Sequence, residues 1–389
     1  MRILVDCTCV RPPLSGVGYY THTLIKALRD LVKSRFPEWH LALYRQPSLR
    51  EWLTGKPPSL SFPQQGGQMF YLPLPVNVSS LLGKHAAFFA ENLGDYFDVV
   101  HGTDHYVYPF RRGKKLITIH DLAFVRYPEY CHYIVRISYE NRIKKCLEWT
   151  DLVLTFSQIT KKEIVDYFQI PEEKVVVTSE ASRYDSNYLD SVNVAEVKRK
   201  YHHLFAQPYI LFVGTMEPRK NIINLVKAFN LIKKEFAINH NLVLIGKKGW
   251  QYREILAEIE NSPYRNNIKH LGYLTEEEVA VFYANAEVFV YPSLYEGFGL
   301  PILEAMTLGA PVVTSRISAL PEVAGEAALY IPPHDWQAMA YTVYRVIQDR
   351  DLREKLKQLG KLRGSLYSWQ RVAEETLHIY SSLGHSFVC

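Results

Sequence analysis

The chain has 389 residues, enough at roughly 100–200 per domain for two domains that each bury a core, which excludes a small disulfide-stapled scaffold. Hydrophobic residues at 48% and charged residues at 22% match globular averages and exclude a disordered or collagen-like chain. A net charge of +5, from 45 basic and 40 acidic residues, is too small and too mixed for a nucleic-acid footprint, so no nucleic-acid partner is expected.

The charge is unevenly placed. Residues 1–185 hold 23 basic against 19 acidic residues, which is +4 of the +5, and residues 111–145 alone hold nine basic against three acidic. Such a face either meets phosphates or an anionic surface, or is merely solvated. Cys7, Cys9, Cys131, Cys146 and Cys389 are odd in number and show no CxxC spacing, as expected for free thiols in a reducing compartment. The start, Met1 to Asp6, is an apolar run broken by charge rather than a signal-peptide core, and no stretch approaches the roughly 20 apolar residues of a membrane span. A cytoplasmic protein is expected, with any membrane contact peripheral.

In chain order, Ile3–Val5 reads as a buried parallel strand, followed by a loop with Pro12, Pro13, Gly16 and Gly18 and then a helix from Thr21 to about Lys33. Further strands are predicted at Leu41–Tyr44, Val99–His101, Leu116–Ile119, Leu152–Phe156 and Val175–Thr178. The stretch 46–82, rich in Pro, Ser, Gln and Gly, reads as a long excursion. After the polar, basic run Val192–His203 the pattern restarts at Tyr209–Gly214, and a helix from Asn221 to Phe236 aligns Ile222, Leu225, Val226, Phe229, Ile232 and Phe236 on one face. Strands follow at Leu242–Ile245, Ile268–Leu271, Val288–Val290, Val312–Thr314 and Leu329–Ile331. Thr275 and Glu278 form a capping box, and Asp335–Leu383 reads as helices alone. The fold class is therefore α/β, with two doubly wound Rossmann-like domains, 1–190 and 191–389, and a ligand cleft at the carboxyl ends of both sheets.

Two runs carry the chemistry. Tyr291 to Ala305 follows the Val288–Val290 strand and holds Glu296, Gly297, Phe298, Gly299, Leu300 and Glu304, with Pro301 suited to a helix start. Free amides and the positive end of the helix there suit an anion, while the carboxylates can accept hydrogen bonds from sugar hydroxyls. Two solvated glutamates at an ordinary turn are the plain alternative. Gly214 to Asn221, which includes Arg219 and Lys220, follows the restart strand. Cations at a helix N-terminus oppose its dipole and call for a bound anion such as a diphosphate, the alternative being a surface pair.

The spacing Glu296 to Glu304, the Gly214-Thr-Met-Glu-Pro-Arg-Lys-Asn221 run, the Ser15-Gly-Val-Gly18 loop and the Thr118-Ile-His-Asp-Leu122 segment together resemble the group 1 glycosyltransferases. This is the retaining, GT-B-fold family 4, and the likeness covers nearly the whole chain. Within it the chain is most similar to a mannosyltransferase-like subgroup with a Gly-Thr-x-Glu-Pro-Arg-Lys-Asn run. The resemblance implies that Arg219 and Lys220 hold the donor diphosphate, Glu304 the ribose and Glu296 the donor sugar. It also implies that the amides of Phe298, Gly299 and Leu300 lie near the phosphates or the sugar hydroxyls, with Gly297 admitting close approach. Gly16 and Gly18 would approach the phosphates from the first domain, and His120 would lie beside the donor sugar. Standing alone, such a histidine is as readily structural. Two departures are Thr215, where many members have Arg, and Tyr19, where related loops have Arg.

A metal-dependent transferase wants Asp-x-Asp at a strand end. The match here, Asp349-Arg350-Asp351, reads as a helix junction, so neither an essential metal nor another cofactor is expected. A dinucleotide dehydrogenase wants G-x-G-x-x-G directly after a strand, which is absent. The resemblance thus implies transfer of a hexose, with mannose from GDP-mannose favoured, to a hydroxyl of a glycan or lipid-linked acceptor. The acceptor would bind domain 1–190 and the donor domain 191–389. Arg136, Arg142, Lys144 and Lys145, on an expected helix, could meet lipid headgroups or a lipid-borne diphosphate. Two rivals stand beside this reading: a non-catalytic nucleotide-sugar-binding partner in a glycosyltransferase complex, and a sugar-nucleotide-modifying enzyme such as an epimerase or phosphorylase.

Overall fold

A computed structural model describes residues 1–12, 14–55, 68–90, 93, 97–131 and 133–385. Pro13, the middle of the 46–82 excursion at 56–67, and Cys389 lie outside them. The chain forms two compact units. The first comprises 1–125, 133–180 and 369–389, and the second comprises 126–132 and 181–368.

The strands of the first unit are β1 (Arg2–Asp6), β2 (His40–Arg45), β3 (Met69–Tyr71), β4 (Val99–Gly102), β5 (Lys114–Thr118), β6 (Leu152–Thr155) and β7 (Val175–Val177). They pair in parallel in the order β3-β2-β1-β4-β5-β6-β7. The interior of β1, Ile3–Val5, is fully buried, as the unbroken apolar run of a two-face-covered parallel strand requires. The second unit holds β8 (Tyr209–Val213), β9 (Asn241–Ile245), β10 (Ile268–Gly272), β11 (Val288–Tyr291), β12 (Val312–Ser315) and β13 (Ala328–Ile331), in parallel order β10-β9-β8-β11-β12-β13. In each sheet the chain order reverses beside the first strand, at β1/β4 and at β8/β11. Open parallel sheets bind ligands outside the carboxyl ends of the strands at such a reversal.

Several sequence expectations change. The helix expected from Thr21 runs Gly16–Arg35, because Ser15 caps it by accepting the Gly18 amide at 3.1 Å. Gly16 and Gly18 are therefore in its first turn, not in a loop. The excursion is structured at both ends. Ser48 and Glu51 form a capping box on the helix Leu49–Thr54, β3 extends the sheet edge, and Val76–Leu82 is helical. Pro301 occupies the second helical position of Leu300–Thr307, behind Gly299 at φ 116°.

The helix Trp369–His385 belongs to the first unit, where the sequence pattern grouped it with the second domain. Its buried face, Val372, Ala373, Thr376, Leu377 and Tyr380, explains the placement. Tyr380 OH lies 2.6 Å from Nδ1 of the fully buried His101, whose Nε2 meets Thr118 Oγ1 at 2.7 Å. Without Tyr380 a buried ring nitrogen would have no partner. The capping box of Thr275 and Glu278 is present as expected. Asp349 caps the helix Arg350–Gly364 at an exposed junction. Among the described residues no helix is long and apolar enough to cross a membrane.

Candidate active site

In the second unit, Pro218–Lys220 makes one tight turn after β8, and Asn221 at φ 59° redirects the chain into the helix Ile222–Phe236. The cations thus stand in a separate turn rather than in the helix's own first turn. Asn221 Nδ2 secures the bend by donating to Pro292 O at 3.0 Å and Pro333 O at 2.6 Å.

The turn brings Lys220 and Arg219 onto Glu296, five residues beyond β11. Lys220 Nζ donates to Glu296 Oε1 at 2.6 Å and to Tyr291 OH at 2.7 Å. Arg219 Nη1 donates to Glu296 Oε2 at 3.1 Å and to Tyr295 O at 2.8 Å, while its Nη2 meets Glu217 Oε1 at 2.8 Å. Lys220 is 7% and Glu296 8% exposed, so water screens this pair little. Burial alone would push the Glu296 carboxyl up. The charges of Lys220 and Arg219 and the Lys220 hydrogen bond outweigh it and hold the group at about 2. Glu296 and Glu217 thus partner the two cations within the protein, and Lys220 is buried rather than a surface residue.

Glu296 is held in turn by its backbone, whose amide donates to Ser318 Oγ at 2.9 Å. Gly297, Phe298 and Gly299 are buried and lead into the helix at Leu300. A Cβ on Gly299 would lie 2.8 Å from Leu320 Cδ2, so close packing and the positive φ both demand glycine. The first amides of this helix precede the first intrahelical bonds, Ile302 and Leu303 to Gly299 O. Glu304, 3% exposed, faces Arg183 Nε at 2.6 Å and Tyr283 OH at 3.3 Å. Neither partner has a sequence signal. Arg183 stands in a linker with no motif, and Tyr283 reads as one more apolar helix residue.

The first unit presents a second group of polar residues at the carboxyl edge of its own sheet. His120, two residues past β5, donates from Nε2 to Thr103 O at 2.8 Å. A carbonyl only accepts, so the Nε2 proton is fixed and Nδ1 carries the lone pair. Burial lowers the ring's pKa and keeps it neutral. Tyr20 packs edge-on against the ring at 5.2 Å. Nδ1 faces Glu180 Oε1 at 4.0 Å, and burial followed by the charge of Asp121 raises the Glu180 carboxyl to about 8. Glu180 is a residue the sequence reading missed, although a carboxylate just beyond β7 obeys the same strand-end rule that singled out His120. Gly18 lies near this edge: a Cβ there would meet Cys9 O at 2.9 Å, whereas one on Gly16 would meet nothing within 4 Å. Among the described residues no group of three or more His, Cys, Asp or Glu side chains could hold a metal ion.

Residues 194–363 match the family model described as "Glycosyl transferases group 1". O-antigen chain mannosyltransferase B of Escherichia coli is 32% identical over 390 residues, spanning 98% of this chain and all of that protein. The chain belongs to the group 1 glycosyltransferases. Among solved structures, sucrose-phosphate synthase from Thermosynechococcus elongatus is similar with a TM-score of 0.76 at 21% identity, over 99% of both chains. The Anabaena protein HepE, solved with UDP and glucose, is similar at a TM-score of 0.70 and 16% identity, over 98% of this chain and 100% of HepE. This glycosyltransferase therefore has the α/β, two-domain GT-B fold.

Proposed function

We propose that this glycosyltransferase moves a mannosyl residue from GDP-mannose to a hydroxyl of a glycan or lipid-linked acceptor, with retention at the anomeric carbon and no essential metal ion. The observation that carries the reading is the buried Lys220–Glu296–Arg219 arrangement at the β8/β11 chain reversal. The mannosyl choice is supported by the whole-length relative, which is named a mannosyltransferase.

In this reading Arg219 and Lys220 hold the donor diphosphate and offset the charge that grows on it as the sugar leaves. Glu296 fixes both cationic heads before the donor arrives, so little reorganisation is needed at reaction. Each carboxylate has about four acceptor directions, so oxygens already bound to Lys220, Arg219, Arg183 or Tyr283 still accept hydroxyls. Glu296 takes those of the sugar and Glu304 those of the ribose. The amides of Phe298, Gly299 and Leu300 donate to phosphate oxygens. His120, with its Nδ1 lone pair, accepts from a donor-sugar hydroxyl, and Gly16 and Gly18 allow backbone close to the phosphates. The acceptor hydroxyl attacks the anomeric carbon from the face the diphosphate leaves, and its proton passes to a leaving phosphate oxygen.

Incubation of GDP-mannose with candidate hydroxyl acceptors in EDTA, with the product's anomeric configuration read by NMR, tests the proposal. The expected product is an α-mannoside. A β-product, a strict requirement for added metal, or transfer from UDP-sugars alone overturns it.

A further inference from the structure

The segment Val76–Ala90 inverts the usual order of burial. Ser79, Ala86, Ala87 and Ala90 face inward, while Leu81, Leu82, Phe88 and Phe89 are 75%, 37%, 67% and 49% exposed. Interior contacts fix this orientation: Tyr106 OH donates to Ser79 Oγ at 3.0 Å and Tyr108 OH to Ala86 O at 2.7 Å. The segment cannot roll its large side chains inward without breaking buried hydrogen bonds. Phe88 and Phe89 stand edge to face at 5.8 Å, both exposed.

Cations lie on and beside this segment. Lys84 is exposed between the two apolar pairs. The helix Tyr133–Cys146 packs alongside, with Arg142 Nη2 on Asn77 Oδ1 at 2.9 Å and Lys145 Nζ on Leu81 O at 3.3 Å, and Lys144 is half exposed on the same helix. Residues 76–90 contain no Asp or Glu. Glu140, the acidic neighbour on the helix, is occupied by Lys144 at 2.6 Å and Tyr167 OH at 2.7 Å. Exposed Leu and Phe beside Lys and Arg match an anionic bilayer surface: apolar side chains enter the acyl boundary while ammonium groups meet phosphates.

We infer that Leu81, Leu82, Phe88 and Phe89, flanked by Lys84, Arg142 and Lys145, form a face of the first unit that docks on anionic membrane. This deepens the acceptor reading, since it places the chain where a lipid-linked acceptor resides. It goes beyond charge alone by naming the side chains that insert.

The test is co-sedimentation of the full chain with phosphatidylcholine vesicles, with and without phosphatidylglycerol, for wild type, Phe88→Ser/Phe89→Ser and Lys84→Glu/Lys145→Glu. Light scattering reports oligomeric state, and nucleotide titration and thermal melting are run on the same proteins. Wild type is expected to bind the anionic vesicles, and the Ser pair to bind at least about tenfold more weakly. The Glu pair loses the preference for phosphatidylglycerol, and wild-type binding falls several-fold as salt rises from about 0.01 to 0.15 M. Nucleotide binding and melting stay unchanged, which separates failure of this proposal from failure of the donor reading. Absence of wild-type binding, equal binding by the Ser pair, or a wild-type dimer that the Ser pair dissolves overturns it.

Discussion

Glu296→Gln keeps the shape of the side chain but replaces one of its two acceptor oxygens by an amide that cannot accept from Lys220 or Arg219. Lys220 is then buried with neutral partners alone, Tyr291 OH and the remaining amide oxygen. The carboxyl falls from an ordinary 4.5 to about 2 on folding. At about 1.4 kcal/mol per pH unit this amounts to about 3 kcal/mol at neutral pH. Because the folded value is the depressed one, that stability is present above pH 4.5 and is lost as pH falls toward 2. For a unit of this size the variant's melting temperature is expected to fall by roughly 6–12 °C at neutral pH. The assay is calorimetric melting of wild type and variant across pH, with the gap narrowing below pH 4.5. A loss under about 1 kcal/mol, or a gap that does not change with pH, refutes the view that Glu296 binds as the anion of the two cations.

Glu180→Gln is expected to act in the opposite pH direction. The native carboxyl keeps its proton up to about pH 8, where the unfolded one has lost it, so the wild type loses stability as pH rises from 4.5 to 8. The variant should match wild type in acid and exceed it in denaturant midpoint above pH 8, and a parallel pair of pH profiles would contradict this. Gly18→Ala places a methyl 2.9 Å from Cys9 O and should cost about 1–3 kcal/mol in urea unfolding. Gly16→Ala, with open space around the added carbon, should stay within about 0.5 kcal/mol of wild type, and equal losses would refute the packing argument. Arg183→Met leaves the Glu304 carboxylate buried without its ion partner, so a double-mutant cycle with Glu304→Gln should show about 1–2 kcal/mol of coupling. Additive losses would mean the 2.6 Å contact stabilises nothing.

Most of the framework could be read from sequence because parallel strands buried on both faces are unbroken apolar runs, as Leu242–Ile245 and Val288–Val290 illustrate. β3 could not. It is three residues long, half exposed, and follows a Pro-, Ser- and Gly-rich stretch, so neither run length nor alternation marks it. The helix Trp369–His385 shows a different limit: periodicity says which face is buried but not against which sheet. His101, some 280 positions away, decides that.

The site was partly legible for the same reason. Residues just beyond β8, β11 and β5 are positioned by strand ends, so Arg219, Lys220, Glu296 and His120 could be singled out individually. Their pairing could not, since it depends on how two loops separated by about 75 residues meet. Arg183 and Tyr283 around Glu304 carry no local signature at all. The start of the Gly16–Arg35 helix was hidden by glycines that suggest a loop, although Ser15 is the cap that sets it.

The most direct measurement is calorimetric titration of the chain with GDP, UDP, ADP and dTDP in EDTA, repeated on Arg219→Ala. The proposal predicts that GDP binds tightest without metal and that the variant loses this affinity by at least about tenfold. Preference for another nucleotide, a need for magnesium, or an Arg219→Ala protein that binds GDP as wild type does would contradict it.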